Sequence, residues 1–115
     1  MGESLREWLD DRVERSADCE RALREDGRDD EATLERIRGN VFDIARTVLG
    51  VAARQDEDGA ARAFFTGRMG RLHGEWRAAR ERALEHSDEG SAHVEQVKLE
   101  ALSEVLRATD DLWAF

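Results

Sequence analysis

The pattern of residues predicts an all-α protein, an antiparallel up-and-down bundle of about four helices. Three observations carry that expectation. The 115-residue chain has no proline and 39% of its residues are charged, which suits long helices better than a sheet protein with its Pro-containing turns. Tyr is absent, and Ile and Thr are scarce, so the residues that strands favour are few. Apolar side chains recur at steps of three and four along four segments, with short runs of Gly, Asp and Ser between them.

The first segment, from about Glu3 to Glu25, carries Leu5, Trp8, Leu9 and Val13, and then more thinly Ala17, Ala22 and Leu23. Its first half is expected to pack. Asp26-Gly27-Arg28-Asp29-Asp30 follows, with a glycine to end one helix and aspartates to cap the next.

The second segment, about Asp30 to Gln55, has the clearest periodicity. Leu34, Ile37, Val41, Ile44, Val48 and Val51 form one row, and Phe42, Ala45, Leu49 and Ala52 widen it. So broad an apolar face predicts a central helix touched from two sides. Gly39 and Gly50 inside it point to close helix contact or a local bend.

The third segment starts near Ala60 and places Phe65, Met69, Leu72, Trp76, Ala79 and Ala83 on one face. Gly67, Gly70 and Gly74 fall in the first half of this apolar pattern, which predicts a kink or short break near His73 and Gly74, with the helix resuming at Glu75 and continuing to about Glu85. After His86-Ser87-Asp88-Glu89-Gly90-Ser91, where Ser87 or Ser91 is the expected cap, the last helix carries Val94, Val97, Ala101, Leu102, Val105, Ala108 and Leu112. Leu99, Leu106 and Trp113 make its second face, so this helix too is expected to be central. No internal repeat or low-complexity linker is visible, and residues 1–115 read as one domain.

Leu, Ile, Val and Phe supply only 24 residues, so the core is expected to be thin. A thin core in a short chain favours self-association, which buries further apolar surface. Net charge is −9, and arginines are interspersed with acids, as in Asp11 and Arg15, Glu20 and Arg24, and Asp58 and Arg62. Neither nucleic acid nor an anionic membrane surface is therefore an expected partner. Arginine outnumbers lysine so far, with Lys98 alone, that the composition reads as high-GC or salt-adapted. Met1-Gly2-Glu3-Ser4-Leu5 has no basic region before an apolar run, and no long apolar stretch occurs. With the lone Cys19, these features lead to a cytoplasmic expectation.

No catalytic, cofactor-binding or metal-ligating residue is assigned. His73, His86 and His93 form no His-Glu-x-x-His or Glu-x-x-His unit, and Glu89 with His93 is an isolated pair. Glu95, Glu100 and Glu104, with Glu85 and Asp88, offer carboxylates of the kind that hold magnesium in a helical nucleotide hydrolase, but the paired Glu-Glu-x-x-Glu run is missing. Cys19 lies mid-helix among acids and lacks an activating neighbour.

Trp8, Trp76, Phe42, Phe64 and Phe65 fit the helical rows as core. Trp113 and Phe115 stand apart, at a position where rings either fold back or meet another subunit, and they are the candidate interface residues. The leading functional expectation is a non-catalytic helical protein that acts by self-association, as a homodimer, or by contact with another protein. The alternative is a bundle that binds a small ligand or metal, including a metal-dependent nucleotide hydrolase.

Overall fold

A computed structural model describes residues 3–55 and 57–113, apart from the side chain of Asp58. Four helices follow one another: α1 (Leu5–Glu25), α2 (Asp29–Ala52), α3 (Asp58–Glu85) and α4 (Glu89–Leu112). The protein is an all-α helical bundle, and no strand occurs among the described residues.

Three-residue turns join α1 to α2 and α3 to α4, so each pair is an antiparallel hairpin, and these two pairings are the closest in the molecule. α2 and α4 also pack on each other. α2 with α3 and α1 with α4 touch less, and α1 does not reach α3. The section is therefore a rhombus, with α2 and α4 on its short diagonal. These are the two helices whose double apolar faces predicted a central position. The Cα extents of 44 × 35 × 20 Å reflect this flattening.

The two turns share one geometry. Gly27 has φ of +76° and Ser87 has φ of +57°, both left-handed. Arg28 N donates to Leu23 O at 2.9 Å, and Asp88 N donates to Ala83 O at 2.8 Å, which satisfies a carbonyl orphaned at each helix end. Ser87 thus terminates α3 rather than capping α4. The cap is Asp88, whose carboxylate accepts from Ser91 N at 3.0 Å and from Ser91 Oγ at 2.7 Å. Those bonds hold its carboxyl below the ordinary carboxylate range, the hydroxyl contributing most. α1 is capped by Ser4, which accepts from Glu7 N at 3.1 Å. α2 lacks the expected aspartate cap: Arg28 stands at the cap position, and Asp29, Asp30 and Glu31 act on the helix dipole from its first turn.

The break expected near Gly74 is absent, and α3 is continuous for 28 residues. Each mid-helix glycine costs about 1 kcal/mol relative to Ala. Burial of Ala61, Phe65 and Met69, each at most 1% exposed, and pairing along α4 outweigh that cost.

The main core joins Leu5 and Leu9 of α1, Val41 to Ala52 of α2, Ala61 to Met69 of α3 and Ala101 to Ala108 of α4. Every one of these lies in the half of its helix remote from the hairpin turn. Toward the turns, burial comes from within each hairpin, as where Gly39 of α2 meets Ser16 of α1. No helix among the described residues is long and apolar enough to cross a membrane.

Candidate functional site

α2 presents two apolar rows with different fates. Phe42, Ala45, Leu49 and Ala52 of one row are buried against the other helices, as is Val41 of the other. In the neighbouring row Ile44 is 39% and Val51 38% exposed, with Val48 half-buried between them. The sequence expectation of burial on both sides therefore fails at Ile44 and Val51. α2 leans on α4 along the short diagonal and meets α3 only lightly, so its flank toward α3 stays open.

That flank is one wall of a groove of about 370 Å³ lined by Ile44, Val48, Arg68, Arg71, Leu72 and Glu75. Leu72 of α3 faces the α2 row, and Phe64 lies half-buried nearby with the Arg68 guanidinium 5.3 Å from its ring centroid. Arg71 and Glu75 are exposed at the rim, and neither makes an ion pair among the described residues. The site thus has an apolar floor and a rim carrying both signs of charge.

The opposite flank, between α4 and α1, is chemically different. Its groove of about 310 Å³ includes Trp8, Arg12, Glu104 and Ala108. Arg12 Nη1 lies 3.6 Å from Glu104 Oε2, and the same guanidinium sits 4.8 Å above the Trp8 ring. Where α2 and α3 offer aliphatic groups, α4 and α1 offer a charge pair over an aromatic ring.

The candidate ligands and nucleophile are dispersed. Glu95 pairs with Lys98 at 3.1 Å, Glu104 with Arg12, and Glu100 accepts from Gln96 Nε2 at 3.2 Å. His86 and His93 are exposed, and His73 borders a separate groove between α3 and α4. Cys19 is exposed with a free thiol. Among the described residues no group of three or more His, Cys, Asp or Glu gathers to hold a metal.

Trp113 folds back within the chain. Its ring lies 5.7 Å from that of Phe65, and Arg62, which pairs with Asp110 at 3.3 Å, is 5.9 Å from the Trp113 centroid. Phe115 lies outside the described residues. Ile44, Val48 and Leu72 were missed as site residues because their spacing is that of core residues. What leaves them accessible is the pairing of the helices.

The architecture is that of two packed helical hairpins with one apolar flank. No family model, curated protein or solved structure matches the chain.

Proposed function

We propose that this is a non-catalytic helical protein that works by self-association, as a homodimer formed through the α2–α3 groove. The observation that carries this reading is the contrast between the flanks: the fold accommodates a charge pair at Arg12 and Glu104, yet keeps Ile44, Val48 and Leu72 aliphatic and accessible on the other side. Exposed aliphatic rows rimmed by charge are typical of association surfaces.

A second copy is the occupant that the rim favours. Arg71 and Glu75 lie one turn apart on α3 and make no ion pair among the described residues, so a two-fold antiparallel crossing of two α3 helices sets each arginine against the other copy's glutamate. The 20 Å thickness and the thin core add a reason for a second copy to cover this flank. The exposed, unpaired Cys19 accords with a cytoplasmic location.

Light scattering coupled to size-exclusion chromatography over a hundredfold concentration range tests the proposal. The expected result is a species of twice the 13.1 kDa chain mass, reverting to the monomer in Ile44→Asp with helix content unchanged. A wild-type chain that stays monomeric throughout, or a dimer indifferent to Ile44→Asp, overturns it.

A further inference from the structure

Positions sixty residues apart, such as Gly27 and Ser87, occupy the same place in the two hairpins. The correspondence extends well beyond the turns. Buried Leu5 and Leu9 correspond to buried Phe65 and Met69, and buried Ala32, Phe42 and Ala45 to buried Ala92, Leu102 and Val105. Ala32, Glu35, Ile37 and Arg38 recur as Ala92, Glu95, Val97 and Lys98, and each copy closes its acid on its base three residues later, at 3.6 Å for Glu35 with Arg38 and 3.1 Å for Glu95 with Lys98.

The surface grooves repeat as well. Every residue lining the groove on the second hairpin, from His73 and Arg77 to Glu100 and Ser103, has its counterpart sixty positions earlier lining the groove on the first. Between the hairpins, Ile44, Val48, Arg68 and Leu72 of one flank correspond to Glu104, Ala108, Trp8 and Arg12 of the other. This last match relates α2 with α3 to α4 with α1, which requires a two-fold axis passing between α2 and α4. The contact pattern has the same symmetry: α2 meets α4 directly, while α1 and α3 stand apart on either side.

We propose that the chain is a duplicated helical hairpin, and that the surface each hairpin presents to the other is an interaction surface fitted by the opposite hairpin of a second copy of this chain. Within one chain the second hairpin already sits on the first as a second copy would, around Phe42, Leu49, Phe65, Met69, Leu102 and Val105. Residues 53–57 alone connect the two. Opening that connection lets the first hairpin of each chain receive the second hairpin of the other, so both cores are rebuilt from the same contacts at little cost. This exchange does not use the α2–α3 groove and stands independently of the association proposed above.

The test uses the whole chain carrying Ile44→Asp, which removes groove association, with residues 54–57 deleted so that α2 and α3 cannot fold back on one another. The expected result is a dimer whose mass holds on hundredfold dilution and whose helical ellipticity per residue equals that of the undeleted chain. A helical monomer overturns the proposal. If the deleted chain loses its helix, a permuted chain decides: α3 and α4 first, then α1 and α2, with five residues added between Phe115 and Met1 so that twelve residues separate Leu112 from Leu5, as twelve separate Ala52 from Phe65, the counterpart of Leu5. The two-fold relates these two spans, so a folded permutant with native helix content supports the proposal and an unfolded one overturns it.

Discussion

Gly39 packs so closely against Ser16 that a methyl group at position 39 would lie 2.9 Å from Ser16 Cβ and 3.6 Å from its Oγ. Ser16 is only 5% exposed, and its Cβ is fixed to the α1 backbone, so the helices must part to admit the methyl. Gly39→Ala gains about 1 kcal/mol of helix propensity. Overpacking a close contact costs roughly 1–3 kcal/mol. The expected outcome is a net loss of about 1 kcal/mol by urea denaturation, recovered when Ser16→Gly is added.

The glycines of α3 have the opposite sign. Nothing lies within 4 Å of a Cβ built at Gly67, Gly70 or Gly74. Alanine at each is expected to add about 0.5–1 kcal/mol in thermal or chemical unfolding, because it restricts the unfolded chain and clashes with nothing. A loss at Gly74 would show that the helix there is strained.

The two turns differ in how comfortably they are occupied. Serine at φ +57° bears a left-handed penalty that glycine at φ +76° escapes. Ser87→Gly is expected to stabilise by about 1 kcal/mol and Gly27→Ala to destabilise by a similar amount. Denaturation midpoints at constant slope check both.

Asp88 makes the cap of α4 pH-dependent. Its carboxyl titrates below the ordinary 3.8 in the folded chain, so the folded state favours the charged form and the unfolded state binds the proton first. The contribution is therefore complete above 3.8 and lost as pH falls through the lowered folded value. Asp88→Ala is expected to melt below wild type at pH 7, with the gap closing as the two are compared at progressively more acid pH. A gap that widens on acidification would contradict this sign.

The two flanks can be made alike. Arg12→Leu with Glu104→Ile transplants the aliphatic pair of the α2–α3 groove to its counterpart, and two open apolar flanks no longer close on a single dimer. Species larger than dimers are expected in light scattering, returning to monomers when Ile44→Asp is added together with restored Arg12 and Glu104.

Much of this molecule was legible in its sequence. The four helices follow from the steps of three and four, and the central positions of α2 and α4 follow from their double apolar rows. Gly74 misled because local propensity is outweighed once Phe65 and Met69 are buried. The cap at Asp88 was hidden beside two serines of equal capping chemistry, and only the left-handed Ser87 separates them. Ile44 and Leu72 were not legible as site residues at all, since their exposure depends on which flank the hairpins leave open. The duplication is not legible in the sequence because few residues are identical across it, whereas burial and turn geometry are kept.

The flattened shape has a hydrodynamic corollary. A compact chain of this length has a radius of gyration near 13 Å by the usual scaling, and this one has 15.4 Å. A monomer therefore drags more water than its mass implies and leaves a gel-filtration column early, where globular standards would assign it part of the way to a dimer. Scattered light weighs the particle without regard to its outline, which makes it the measurement by which association of this protein is to be judged.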